Sequence, residues 1–421
     1  MKKLIKKIKK PIIRVWARLY RYLTLKVIYP REYEKYAKDS IDEKKVVFIE
    51  TRFGELSNSF YELYDSIMQN YDLEVHTHFL QVGFSRRLTV LKKSKEMIRD
   101  IATAKYIFIS EASDVMASLD LRKETKFMQL WHACGAFKKF GFSTADLIFG
   151  ASRKVQERYK GYGPYTYVTV SSPEIIWAYA EAMRVPKEII KPFGVSRTDI
   201  FFKEEFKTNS YQKLHSAMPE SKGKKVILYA PTFRGRIAKA KAPNELDVAK
   251  FKEQLSDEYV LVMKHHPFIK TRPEIEEDCQ DFARDLTEEL KIEELLCVAD
   301  ICISDYSSVV YEYSLFGKPM IFYAYDLDDY NDWRGFYYSY EELTPGPIFK
   351  ENEEMISHIK QIKEKFDKAE VVAFREKFMS ACDGQATKRI TEAMFEGNVE
   401  QYKRKQPRTS DDYEYPKVDI R

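Results

Sequence analysis

Short runs of β-branched and aromatic residues recur along this chain, each followed by a longer polar segment of helical period, and the whole series is played twice. The first series holds Val46 to Glu50, Tyr106 to Ser110, Met128 to Trp131 and Leu147 to Ala151. The second begins after Ser221 with Val226 to Ala230, Tyr259 to Lys264, Ile301 to Ser304 and Met320 to Tyr325. Strands alternating with helices form parallel sheets covered on both faces. A chain of 421 residues also exceeds what a single hydrophobic core usually fills. The pattern predicts an α/β protein of two Rossmann-like domains facing a cleft, at residues 45–202 and 223–395. A polar linker is expected across residues 203–225 and a loose tail at residues 404–421. Ligands of open parallel sheets bind beyond the carboxyl ends of the strands, so residues just past the strands of both series should converge on that cleft.

Composition removes several classes. With 44% hydrophobic residues, 29 Tyr and 27 Phe, the chain has ample core material and is not a disordered polymer. Its five cysteines are odd in number and form no CxxC pair, against a disulfide framework or a zinc ribbon and in favour of a reducing compartment. No apolar run approaches the roughly 18 residues of a spanning helix, and no small-residue cleavage site follows the apolar part of the N-terminus. A cytoplasmic protein is expected.

The net charge of +5 hides an asymmetry: residues 1–31 carry eleven Lys or Arg and no acid, while the remainder is net −6. On a helix starting after Pro11, Ile12, Trp16, Leu19, Leu23 and Val27 share one stripe, with Lys10, Arg14, Arg18 and Arg21 opposite. Each basic residue near an anionic leaflet contributes about 1 kcal/mol, and Trp16, Tyr20, Tyr22 and Tyr29 suit headgroup depth. The segment is therefore expected to dock on an anionic membrane surface. The alternative is a helix packed on the protein's own body with a solvated basic face. Nucleic acid is not an expected partner, because the rest of the chain is acidic and carries no helix-turn-helix, zinc-finger or RNA-binding signature.

Five segments place reactive residue types at strand ends. His132, with Lys138 and Lys139 following, offers a base near neutral pH and cations for an anionic acceptor; a strand-end histidine is also commonly structural. Arg197 and Asp199 offer a guanidinium and a carboxylate to the cleft, or simply lock a turn by pairing. Thr232 and Arg234 stand at a strand tip, where they contact phosphate or nucleotide or form a solvent-facing turn. Lys264 and His266 end another strand, and since successive side chains point to opposite sides, only one of His265 and His266 should face the cleft. Finally Asp305, Ser307 and Ser308 precede a helical run. Hydroxyls and free backbone amides there make a phosphate seat, although an ordinary N-cap explains one serine. No Walker loop or GxGxxG follows a strand, which disfavours ATPase and dinucleotide functions, and no metal site is expected.

Taken in order, Trp131-His132 with its Gly and Lys pair, Tyr229 to Arg234, His266-Pro267, Ser304 to Ser308, Gly317 to Asp326, Arg334 to Tyr337 and Pro345 to Pro347 resemble the CDP-glycerol glycerophosphotransferase family of teichoic-acid synthesis. The resemblance implies a glycosyltransferase-B-like fold, peripheral attachment to the cytoplasmic face of the bacterial membrane, and transfer of a polyol phosphate from a CDP-polyol to a lipid-linked teichoic-acid or capsule acceptor. It implies His132 as base and His266 as a neutraliser of donor phosphate charge. Ser307 and Ser308 would hold those phosphates, with Lys264, Thr232, Arg234 and Asp305 near the CDP pocket. No cofactor is required, and Mg2+ dependence stays open. The family's usual Gly-Thr-Pro-Leu-Lys-Lys after Trp-His is replaced here by residues Ala133 to Lys139, which leans the expectation toward ribitol over glycerol. A sugar-nucleotide glycosyltransferase of the same fold is the alternative, and the sequence specifies no oligomeric state.

Overall fold

The structure is a computed structural model that describes residues 13, 15–148, 150–235, 240–328, 330 and 335–418. Its strands form two six-stranded sheets in which neighbouring strands run parallel. The first holds β1 (Asp42–Glu50), β2 (Glu74–Phe79), β3 (Ala104–Ile109), β4 (Lys126–Gln129), β5 (Tyr167–Thr169) and β6 (Ile190–Lys191), in the order β2-β1-β3-β4-β5-β6. The second holds β7 (Lys225–Tyr229), β8 (Tyr259–Met263), β9 (Ala283–Asp285), β10 (Ile301–Ser304), β11 (Met320–Tyr323) and β12 (Ile348–Phe349), in the order β12-β11-β10-β7-β8-β9. Val46, Val47, Phe48 and Ile49 are all completely buried, so β1 needs apolar residues on both faces and reads as an unbroken run.

Both sheets reverse their direction of winding, the first between β1 and β3 and the second between β7 and β10. At such a point the flanking loops part and leave a crevice. The α/β class and the two parallel-sheet lobes are as expected. The run Leu147 to Ala151 is not a strand: Leu147 and Ile148 are exposed on a loop.

Chain order and spatial order part company at both ends of the second lobe. The predicted linker contains a helix, Glu204–Ala217, which buries Leu214, with Met218 buried just beyond it. The helix Ala386–Met394 returns to the first lobe, where Ile390, Met394, Phe395 and Tyr402 pack with Val46, Phe48 and Phe60. Residues 404–418 are not loose either. The Tyr413 and Tyr415 hydroxyls donate to Asp65 at 2.8 and 2.5 Å, and the Val418 amide donates to the Gly54 carbonyl at 2.6 Å.

Residues 15–23 are helical and run through a π-helical turn, Thr24–Ile28, into the helix Tyr29–Tyr36. Lys10, Ile12 and Arg14 lie outside the described residues. Leu25, Tyr29 and Tyr33 enter the core, while Trp16, Leu19 and Leu23 are 66%, 44% and 41% exposed. Of the predicted apolar stripe, Trp16, Leu19 and Leu23 thus face outward and Val27 is half-buried, while Arg21 pairs with Asp114 at 2.8 Å. Packing of that stripe on the body is ruled out for these three residues. Among the described residues no helix is long and apolar enough to cross a membrane.

The loop after His132 joins the lobes. Phe137 meets the rings of Tyr311, Phe336 and Tyr340, the Lys139 amide donates to the Gly335 carbonyl at 3.1 Å, and the Tyr337 amide donates to the Phe137 carbonyl at 3.2 Å. Gly135 has φ +62°, and a Cβ there would come within 2.2 Å of the Tyr311 ring. Only glycine allows this approach.

Candidate active site

A cleft of about 460 Å³ lies between the lobes. His132, Arg197, Asn58 and Tyr61 line it from the first lobe; Thr232, Lys264, His266, Ser307 and Ser308 line it from the second. The sequence prediction that strand-end motifs of both series converge is met by these residues.

His132 follows β4 through Leu130 and Trp131, and Trp131 adopts φ +59°, a left-handed conformation that bulky residues rarely take. The turn is held by the Trp131 amide donating to Gln129 Oε1 at 2.9 Å and by stacking of the indole on Phe140. His132 Nδ1 lies 3.1 Å from the Ser110 carbonyl oxygen and 3.4 Å from Glu111 Oε1. A carbonyl only accepts, so Nδ1 carries the proton and Nε2 keeps its lone pair. Desolvation by the cleft walls is the main cause that lowers the His132 pKa to about 4, with Arg52 and Arg197 adding repulsion. The ring is therefore neutral near pH 7, with the open part of its surface in the cleft.

On the facing wall the Phe268 amide donates to His266 Nδ1 at 3.2 Å, which leaves the ring proton on Nε2. The expectation that only one of the two histidines reaches the cleft is not met: His265, buried, and His266, half-buried, both line it, because the strand ends at Met263 and its alternation does not extend to them. Ser307 Oγ accepts from the Val309 amide at 3.4 Å, while Ser308 forms no capping bond to the helix Val309–Ser314. That helix is only six residues long. Hydroxyls and local amides, rather than a long axial dipole, are what it offers an anion. Thr232 also lines the cleft. Lys264 donates to the carbonyls of Thr287 and Leu290 at 2.6 and 2.5 Å, and burial lowers its pKa.

Several predicted residues do something else. Arg234 donates to both oxygens of Asp326 at 2.6 and 3.0 Å and to Asp305 at 2.9 Å, inside a ring of Tyr306, Tyr325 and Tyr330. Asp305 accepts from the Thr232 amide at 2.9 Å and from the Thr232 hydroxyl at 3.1 Å. Arg234 and Asp305 thus brace the loops after β7, β10 and β11 and do not line the cleft. Arg197 and Asp199 are not paired with each other. Arg197 reaches across the cleft to Glu312, and to Glu293 at 3.7 Å, whereas Asp199 accepts from the Ala386 and Thr387 amides and fixes the start of the returning helix. Lys138 and Lys139 belong to the joint between the lobes, with the Lys138 ammonium 5.2 Å over the Tyr330 ring. Neither is among the cleft-lining residues.

Glu111 and Arg52 escaped the sequence reading. They lie 3.3 Å apart, and Glu111 follows β3 just as His132 follows β4, so the strand-end rule contained the signal. The expectation of no metal site takes an HxH spacing to be absent, but one is present at His76-Thr77-His78. Both imidazoles bind Asp100, at 2.8 and 2.9 Å, and both lie on the edge strand β2, away from the cleft lining. Among the described residues Glu276, Asp278 and Cys279 bring possible metal ligands together, and they too lie outside that lining.

Two Rossmann-like lobes with paired histidines and a hydroxyl cluster in the crevice define a two-lobed, glycosyltransferase-B-like transferase. The family model described as CDP-Glycerol:Poly(glycerophosphate) glycerophosphotransferase matches residues 32–396, and the chain belongs to that family. It is 38% identical to the teichoic acid poly(ribitol-phosphate) polymerase of Bacillus spizizenii, over 84% of this chain and 56% of the relative. It is 35% identical to that organism's teichoic acid ribitol-phosphate primase, over 84% of this chain and 91% of the relative. The structure of an H444N variant of the wall teichoic acid polymerase TagF superposes with a TM-score of 0.72 at 20% identity, covering 94% of this chain and 98% of the other. This chain thus spans about half the polymerase and most of the primase. It is an enzyme of the polyol-phosphate transferase class.

Proposed function

We propose that the chain moves ribitol phosphate from CDP-ribitol to a hydroxyl of a lipid-linked teichoic-acid acceptor, at the cytoplasmic face of the membrane. His132 Nε2 takes the acceptor's proton as the oxygen bonds to the polyol-bearing phosphorus. The bond from that phosphorus to CMP breaks, CMP leaves with the electron pair, and configuration inverts. His266, Ser307 and Ser308 meet charge on the phosphoryl oxygens, the electrostatic positioning on which phosphoryl transfer chiefly depends. The observation that carries this reading is the pair of histidines on opposite cleft walls, one with a bare Nε2 and the other with a protonated one. The ribitol-phosphate relatives at 38% and 35% identity support ribitol over glycerol. The outward Trp16 and Leu19 support membrane docking.

Incubation of the purified chain and lipid-linked acceptor with CDP-ribitol, CDP-glycerol or UDP-sugars tests the reading. CMP release and a product gaining one ribitol phosphate by mass spectrometry are expected with the first donor. Release of UDP in place of CMP would overturn it. The double substitution Trp16→Glu with Leu19→Glu should free the protein from anionic vesicles, and it spares Leu25, Tyr29 and Tyr33, which deletion of residues 1–31 would partly remove from the core.

A further inference from the structure

A separate cavity of about 670 Å³ lies on the first lobe, between the N-terminal helix and the loops that follow β1 and β3. Tyr20 and Arg21 line it from the helix, Arg87 from the start of the helix Arg87–Ile101, and Arg52 and Glu111 from the strand ends. Asp114 also lines it and pairs with Arg21 at 2.8 Å, while Arg52 lies 3.3 Å from Glu111. Arg87 makes no ion pair among the described residues. Its guanidinium sits 5.8 Å over the Tyr20 ring, and the Tyr20 hydroxyl donates to its carbonyl at 3.2 Å. Three guanidiniums against two carboxylates leave a net positive charge and one cation uncommitted, which suits a phosphodiester.

The position of the cavity matters more than its charge. One wall is the helix that exposes Trp16 and Leu19 on its other side. Another is Glu111, whose Oε1 lies 3.4 Å from His132 Nδ1. The cavity therefore runs from beneath Trp16 and Leu19 to the carboxylate beside the Nδ1 edge of the base, while His132 itself lines the cleft and presents Nε2 there. The second lobe, with the donor seat, contributes nothing to its lining. Two substrates that meet at His132 need separate approaches, and an acceptor tethered to lipid has to arrive from the membrane side.

We propose that this cavity seats the phosphodiester nearest the growing end of a membrane-tethered acceptor, with Arg87 and Arg21 binding its phosphate and the terminal hydroxyl passed to His132. This assignment rests on the polyol-phosphate transfer reading above. It also moves the acceptor away from Lys138 and Lys139, which face the joint between the lobes.

The test uses the full chain carrying Arg87→Ala, and Arg21→Ala with Arg87→Ala. Equilibrium titration with a soluble glycerol-phosphate hexamer, with no vesicle present, should show binding by the wild type and at least tenfold weaker binding by the double variant. In steady state, KM for the lipid-linked acceptor should rise about tenfold while KM for the CDP-polyol stays the same, which also reports that the variants are folded. Equal hexamer affinity in all three proteins, or none in the wild type, overturns the assignment. If the wild type releases no CMP from any CDP-polyol, the transfer reading fails while the titration still decides the cavity.

Discussion

The two walls of the cleft carry the same residue type in opposite proton states. On the first lobe a backbone carbonyl, Ser110, takes the Nδ1 proton of His132; on the second a backbone amide, Phe268, gives its proton to Nδ1 of His266. The first imidazole presents a lone pair to the cleft chemistry and the second a donor. The lesson is that the main chain behind each ring, and not the ring itself, assigns base to one wall and charge stabiliser to the other. The largest break in this comparison is His132→Ala. Turnover should fall by about 10² to 10⁴ with donor affinity unchanged, as removal of a general base requires. Pre-steady-state CMP release against donor concentration separates the two quantities, and near-normal turnover would take His132 out of that role.

The opposite wall should respond in binding. His266→Ala removes one donor to phosphate, and the loss expected for a charge-assisted hydrogen bond is about 10- to 100-fold in donor affinity. The joint change Ser307→Ala with Ser308→Ala should act in the same direction and less strongly, because neutral hydroxyls make weaker bonds. Calorimetric titration with CDP-ribitol reads both. If His266→Ala lowered turnover alone and left donor affinity intact, the division of labour between the walls would collapse.

How much of this was legible depended on whether a residue's direction follows from local geometry. His132, His266, Ser307 and Ser308 follow strands that announce themselves as apolar runs, and strand ends of a parallel sheet point one way. Arg197 and Asp199 sit on the 3-10 segment Ser196–Phe202, and their divergent directions follow from no simple period in the sequence. Lys138 and Lys139 looked like anion binders because charge is visible in sequence; that Phe137 beside them inserts between Tyr311 and Tyr340 depends on a partner about 170 to 200 residues away. The helix Ala386–Met394 was foreseeable as a helix. Its lobe was not, since an amphipathic face does not name the sheet it will cover.

A sharper form of the comparison comes from pH. The His132 pKa is lowered to about 4, so the base stays unprotonated until the solution is well below the 6.5 of a solvated imidazole. The acid limb of kcat/KM should therefore lie near 4, with the profile level from about pH 8 to 5.5, where a base of ordinary pKa would already have lost roughly tenfold. The sign for stability is the same. The folded chain binds this proton less readily than the unfolded chain, so His132 makes folding less favourable as pH falls below 6.5. An activity midpoint at 6.5 would show that the ring is hydrated in the working enzyme.

The smallest effect belongs to the joint between the walls. Lys138→Ala removes an ammonium that lies 5.2 Å over the Tyr330 ring and is not among the cleft-lining residues. A cation–π contact of this kind contributes about 0.5 to 1 kcal/mol, which in a chain of this size is a fall in Tm of about 1 °C or less. Turnover and the KM for both substrates should stay within about twofold, since the neighbouring main-chain bonds from Lys139 to Gly335 and from Tyr337 to Phe137 do not need the side chain. A tenfold rise in acceptor KM for Lys138→Ala would return the acceptor to the interlobe loop. It would also mean that the wall carrying the base extends further toward the second lobe than the cleft geometry indicates.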